Sequence, residues 1–300
     1  MANVQNSLVK QKTKFSVAIS SEQYRKLINS TLGDPKRAQR FIAAISSAVA
    51  TNTTLQECDA GSILSAALLG EALNLSPSPQ LGQFYMVPYN DKKKDCKVAQ
   101  FQLGYKGYIQ LAIRSGQYKK LNVLAIKEGE LVNFNPLEEE IEVKLIDDEF
   151  ERENAKTIGY YAMFEYVNGF KKAMYWSREK MESHADRFSQ AYNAATHKKM
   201  TEGLIHKDDL WKYSSFWYKD FDGMAFKTML RQLISKWGIM SIELQSAVEN
   251  DMTVVNEDGT KEYIDTVEYA EPISEQPVTS GNEEPETDPA IETDSSDPLA

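Results

Sequence analysis

Lysine, amide and arginine side chains recur every four residues in one short stretch: Lys106, Gln110 and Arg114 stand at i, i+4 and i+8. At 100° per residue they share one stripe of a helix. Such a row suits a phosphate backbone, because Lys and Arg pair with phosphate oxygens and neutralise their charge. Tyr105, Tyr108, Ile109 and Ala112 share another face. An amphipathic helix whose polar face is simply solvated has the same pattern.

The pairing of cations with aromatic rings recurs. Tyr118 is followed by Lys119 and Lys120. Lys198 and Lys199 precede Trp211, Lys212 and Tyr213, and Lys227, Arg231 and Lys236 precede Trp237. Cations track a phosphate backbone, and flat rings stack nucleobases at about 1–3 kcal/mol per base. Together they point to sequence-independent binding of single strands, with the cations the firmer part, since Trp237 and most of the tyrosines can equally serve a core.

The formal charge of −10 is unevenly spread. Residues 249–300 hold 16 acids and one lysine, whereas residues 1–248 hold 28 acids and 33 bases, a net of +5. A mildly basic body with a strongly acidic tail fits nucleic-acid binding by the body. Two cysteines, Cys58 and Cys96, fit a reducing compartment. The N-terminus lacks the apolar core of a signal peptide, and no run of about 18 apolar residues occurs. The expectation is a soluble cytoplasmic protein.

Other chemistries find little support. No G-x-x-x-x-G-K-S/T loop occurs, and the glycines of Gly104-Tyr105-Lys106-Gly107 are too close for one. His184, His197 and His206 have no metal-ligand spacing with either cysteine, and no G-x-S-x-G elbow is present. Glu142-Val143-Lys144, with Asp91 or Asp95 upstream, fits part of a metal-dependent nuclease pattern. Alternating charges on the wet face of a sheet explain it as well. No metal and no cofactor is expected.

The elements that must position these residues are legible. A helix follows Ser20 or Ser21, Gly33-Asp34-Pro35 stops it and restarts another, and an Ala- and Gly-rich helix follows Asp59. Phe84–Tyr89 and Cys96–Leu103 form a β-hairpin with Lys92, Lys93 and Lys94 at its tip. Leu121–Ile126, Leu131–Phe134, Glu140–Ile146, Thr157–Val167 and Phe170–Trp176 read as further strands, the last two joined at Asn168-Gly169. Ser177 caps a later helix, Ala195–Trp211 reads as a loop, and one helix runs from about Ser215 to Lys236, with Lys227 and Arg231 opposite its apolar side. A last short helix spans Ser241–Val248. The fold class is α+β: a central, mainly antiparallel sheet of about five strands with a β-hairpin, packed against N-terminal and C-terminal helices. Residues 1–33 form a flexible start and first helix, 34–248 the core for DNA binding and assembly, and 249–300 a disordered acidic tail. Within the tail, Tyr263, Ile264, Val267 and Tyr269 could form a docking motif.

The order of motifs resembles a known family. Leu55 to Cys58 (L-x-x-C), Asn74 to Pro77 (N-L-S-P), Tyr85 to Tyr89 (Y-M-V-P-Y), Phe101 to Gly116, Met224 to Leu233 (M-A-F-K-T-M-L-R-Q-L) and Ser241 to Glu243 follow one another as in the RecT family of phage and prophage single-strand annealing recombinases, functional relatives of the lambda Red beta protein. The likeness spans about Phe41 to Val248. It implies binding of single-stranded DNA and pairing with a complementary strand without nucleotide hydrolysis, in rings or helical filaments. It also implies a phage exonuclease and the host single-strand-binding protein as partners.

On this reading Lys106, Gln110, Arg114, Lys227 and Arg231 contact the backbone, with Tyr105, Lys119, Lys198 and Lys199 beside them. Lys92, Lys93 and Lys94 reach the outer strand or a neighbouring subunit. The acidic tail competes for the groove, docks a partner or serves solubility. A single-strand-binding protein that does not anneal is the main alternative, and a nuclease the next.

Overall fold

A computed structural model describes residues 15–91, 95–189, 191–255 and 260–263. The chain opens with α1 (Phe15–Ala18), α2 (Glu22–Leu32), α3 (Pro35–Ala50), α4 (Thr53–Gln56) and α5 (Ala60–Ala72). Strands β1 (Phe84–Asp91) and β2 (Cys96–Leu103) lead into α6 (Tyr105–Arg114), followed by β3 (Tyr118–Lys127), β4 (Leu131–Asn135), β5 (Glu140–Val143) and α7 (Glu149–Asn154). Next come β6 (Thr157–Tyr166), β7 (Lys171–Ser177), α8 (Arg178–Phe188) and α9 (Ala194–Thr201). The last elements are α10 (Phe216–Lys219), α11 (Phe221–Trp237), α12 (Ile242–Asn250), β8 (Thr253–Val255) and β9 (Lys261–Tyr263).

Local chemistry sets the boundaries. Ser21 caps α2 by accepting from Tyr24 N, and Gly33 ends it at φ +66°, a left-handed turn open to glycine. Asp34 then caps α3, with Pro35 at its first position. Asp59, Ser177 and Ser241 cap α5, α8 and α12 in the same way. The β1–β2 hairpin keeps strict register from Phe84↔Leu103 to Asp91↔Cys96, and Gly169 turns β6 into β7 at φ +89°.

The strands are antiparallel, as expected, but they make three sheets rather than one. Their orders are β1-β2-β8-β9, β3-β6-β7 and the hairpin β4-β5. Three further expectations need correction. The helix anticipated from Ser215 breaks at Asp220, whose extended backbone (φ −147°) separates α10 from α11 while its carboxylate accepts from Gly223 N at 2.9 Å. The stretch taken as a loop at Ala195–Trp211 contains α9 and a 3₁₀ turn, Lys207–Lys212, because Asn193 caps α9 and His197 buries its ring. Part of the stretch expected as a tail from residue 249 is ordered: α12 runs to Asn250, and β8 pairs with β2 at Phe101↔Thr253. Lys92, Lys93 and Lys94, and the tail from residue 264 onward with Ile264, Val267 and Tyr269, lie outside the described residues.

Two hydrophobic cores form. One joins α2, α3 and α5 to the β1–β2 hairpin, α6 and α12, and the other joins the β3-β6-β7 sheet to α8, α10 and α11. Helix α11 serves both, sending Leu230 and Ile234 into the first and Ala225, Met229 and Leu233 into the second. Helix α5 reaches the hairpin closely: a Cβ at Gly70 would lie 2.3 Å from the ring of the fully buried Phe84. Gly70→Ala should therefore destabilise the fold by about 1–3 kcal/mol through overpacking, although Gly→Ala inside an unconstrained helix gains up to about 1 kcal/mol. Urea unfolding measures the sign, and a stabilised variant would show that the α5–hairpin contact yields.

Candidate nucleic-acid interface

The glycines of the Gly104-Tyr105-Lys106-Gly107 run are there for close approach. A Cβ on Gly104 would fall 2.1 Å from the Gly82 carbonyl oxygen, and one on Gly107 2.1 Å from that of Gln83. The start of α6 is thereby pressed onto the 82–83 loop, where Gly104 N donates to Gln83 O at 2.9 Å. This fixes the direction of α6. Tyr108 and Ala112 are buried, Tyr105 and Ile109 half-buried, and Lys106 exposed. The Tyr105 ring meets Phe226 of α11 edge-on at 5.5 Å, locking the two helices together.

A cleft runs beside α11, where α8 and α10 approach it, and a small pocket opens where α11 meets the start of α6. The pocket is lined by Tyr85, Gly104, Tyr105, Phe216, Met224 and Lys227. The cleft is a larger cavity of about 250 Å³ that shares Met224 and Lys227 with it and is walled by His184, Phe188, Trp217 and Arg231. Burial, with Lys180 nearby, pushes the His184 imidazole below its ordinary range.

The two cations of α11 differ. Lys227 does not sit on a wet face: it is 5% exposed, and its Nζ donates to Asp251 Oδ1 at 2.9 Å. Burial pushes its ammonium below the usual lysine range, and the Asp251 carboxylate opposes that. Arg231 donates to the other oxygen, Oδ2, at 3.0 Å and keeps 31% of its side chain exposed. The expectation of a solvent-facing Lys227 is thus corrected. The segment after α12 folds back over the helix and covers that position, with Met252 N bonded to Phe101 O and Leu103 N donating to Asp251 Oδ1.

The remaining sequence-predicted residues are scattered. Gln110 is half-buried on α6. Arg114 lies at the far end of that helix, and its guanidinium donates to the Leu73 and Asn74 carbonyls at 3.0 and 2.8 Å, capping the end of α5. Lys119 starts β3 and donates to Glu165 at 2.7 Å. Lys198 and Lys199 are exposed on α9, which is anchored by His197: its ring stacks on Phe221 at 5.4 Å and shares a hydrogen bond with Tyr192. Lys227 lines both cavities, Tyr105 the small one and Arg231 the larger one, whereas Lys106, Gln110, Arg114, Lys119 and the α9 lysines line neither.

Asp251, His184, Phe188 and Trp217 belong to the site without any motif to mark them. Of the nuclease pattern, Glu142 lies in the β4–β5 hairpin and Asp91 in the β1-β2-β8-β9 sheet. Among the described residues no three His, Cys, Asp or Glu side chains gather as metal ligands. No helix among them is long and apolar enough to cross a membrane.

Removing Asp251 leaves the Lys227 ammonium buried and unpaired. Asp251→Ala should cost about 3–5 kcal/mol of unfolding free energy. Lys227→Met keeps the side-chain length and leaves Asp251 its Arg231, so it should cost clearly less. Equal losses in guanidinium unfolding would show that the carboxylate does not hold the lysine.

Comparison with known proteins places the chain. A Bacillus subtilis (strain 168) protein named uncharacterized protein YqaK is 41% identical over 280 residues, covering 92% of this chain and 84% of that one. Protein RecT of Escherichia coli (strain K12) is 30% identical over 216 residues, 71% of each chain. The RecT family model matches residues 39–266, a span that takes in α6, α11 and the strands after α12. The chain belongs to the RecT family of single-strand annealing proteins.

Proposed function

We propose that this protein binds single-stranded DNA along α11, in the cleft beside it that Arg231 lines, and pairs it with a complementary strand in homologous recombination, without nucleotide hydrolysis. The observation that carries the reading is the cleft itself, with Arg231 held at its rim by a carboxylate inside the fold. A guanidinium braced from behind loses little freedom when it meets a phosphate oxygen. The exposed Lys106 and the half-buried Gln110, on the α6 helix packed against α11, extend the same track with an ammonium and an amide. Lys227, being buried, positions Asp251 and through it Arg231. Arg114, Lys119, Lys198 and Lys199 form an outer tier of contacts, and Tyr105 is a packing residue that lines the small pocket.

Pairing two strands is opposed by phosphate repulsion. A cationic cleft that holds one backbone lowers that repulsion and leaves base edges free, so base pairing supplies the specificity. Copies of the chain assemble along the strand so that their clefts line up. A phage exonuclease that exposes the strand and the host single-strand-binding protein are the partners this role calls for.

Stopped-flow mixing of two labelled complementary strands with EDTA and no nucleotide tests the reading. Faster pairing than without protein is expected. Binding with slowed pairing would make the protein a strand protector, and shortening of the strand on adding magnesium would make it a nuclease. Lys106→Ala and Arg231→Ala should each weaken binding and flatten the salt dependence by about 0.7 in log–log slope, one lost contact to a single strand. Folded variants that bind normally at several salt concentrations would remove these residues from the interface.

A further inference from the structure

The excursion between β3 and β6 carries the opposite charge to the rest of the folded body. Residues 128–155 hold 11 acids and two bases. One of the bases, Arg152, is spent inside, donating to the fully buried Glu130 and to the Ala125 carbonyl. Apart from Arg152, the side chains of helix α7 in this excursion are exposed, and Phe150 on it is 78% exposed. Leu145 and Val132, elsewhere in the excursion, are 47% and 58% exposed. Asp147, Asp148, Glu149, Glu151 and Glu153 flank Phe150 in the chain, all exposed. Such a surface repels a phosphate backbone, and large apolar groups set among charges mark a protein-docking site.

A complementary surface lies at the other end of the same sheet. Strands β3 and β6 are each ten residues long, about 30 Å at the usual rise. Helix α7 sits by the Lys127↔Thr157 end, where Arg152 meets the Ala125 carbonyl, whereas Lys120↔Glu165 and Glu165↔Lys171 pair near the Tyr118↔Tyr166 end. The tip of the β4–β5 hairpin alone reaches back toward that end, where Glu139 pairs with Lys172 and the Lys172 ammonium lies over the Trp237 ring. There the carboxylate of the buried Glu165 gathers Lys119, Lys120 and Lys171 at 2.7, 3.7 and 3.9 Å, each lysine more than half exposed. The Lys119 hydrogen bond holds the Glu165 carboxyl below its ordinary range. Three ammoniums on one carboxylate leave a net positive patch. Beside it Val167, Phe170 and Trp237 are 65%, 46% and 42% exposed, with the exposed Lys236 over the Trp237 ring. Hydrogen bonds from Tyr166 to the Trp237 carbonyl and from Tyr118 to the Ile239 carbonyl fasten the end of α11 to this end of the sheet.

We propose that the acidic, apolar end bearing Phe150 docks on the basic, apolar end bearing Lys120, Lys171 and Trp237 of a second copy of this chain. The pairing deepens the assembly part of the function proposed above and rests on it. The two surfaces differ, so the contact is heterologous: copies stack head to tail and the array stays open or closes into a ring, according to the rotation per step. Phe150 is the central anchor and the charges form the rim, where they steer encounter and make assembly salt-sensitive.

This geometry has a signature that no isologous contact shares. Glu149→Lys, Phe150→Ser and Glu153→Lys together spoil the acidic end and spare the Asp148 cap of α7. Lys120→Glu with Lys236→Glu spoils the basic end and leaves Glu165 its Lys119. Mass photometry of the full chain at low salt, with and without a single-stranded oligonucleotide, reads the result. Each variant alone should be monomeric where the native chain assembles, and an equimolar mixture should form dimers that grow no further, joined through the one intact pair of ends. Circular dichroism checks that both are folded. Native-like assembly by either variant, a native chain that stays monomeric in both conditions, or a mixture of folded variants that stays monomeric overturns the proposal. The DNA-free arm separates its failure from failure of the annealing reading, which rests on the pairing rates of the native chain.

Discussion

A carboxylate with no access to water cannot stand alone, and Asp251 is such a group, 0% exposed. Its charge is met by the Leu103 amide, the Lys227 ammonium and the Arg231 guanidinium. Those three belong to the end of β2 and two turns of α11, while Asp251 itself follows α12. One buried anion thus ties the hairpin, the central helix and the C-terminal strands into one body. Hydrophobic packing alone would let these elements slide by small steps. The ion cluster does not, because each displaced partner leaves a desolvated charge behind.

The same cluster prepares the candidate site. Arg231 is fixed from inside while part of it stays at the surface, so the cleft presents a cation whose position is decided before any ligand arrives. Helix α6 is placed with equal firmness by backbone contact at Gly104 and Gly107 and by the Tyr105–Phe226 ring pair. Helices α6 and α11 are therefore fixed against each other. A pre-set groove suits a protein that must hold a backbone in one register while its bases test a second strand.

Charge is partitioned by position. Cations lie on α6, α9, α11 and the Lys119–Lys171 end of the sheet, and acids fill the 128–155 excursion. Net charge hides this, because a value of −10 averages a basic body with an acidic tail and an acidic excursion. Like-charged blocks set apart on one fold govern both what the protein attracts and how copies of it can meet.

Much of this was legible in the residues. Alternation and turn chemistry marked the β1–β2 and β6–β7 hairpins, capping residues marked α2, α3 and α8, and the ordered motifs marked the RecT family. These are properties of neighbours in sequence. The break at Asp220, the helical turns of α9 and the division into three sheets escaped, because short elements carry too few residues for a period to show. Lys227 escaped for another reason. Its place on the helical wheel is polar and correct, but exposure depends on what packs against a face, and here that is a chain segment 24 residues further on. By itself the sequence determined the elements, the charge of each block and the family. Only the tertiary structure decided which cations face water, because burial is settled by segments far apart in the chain.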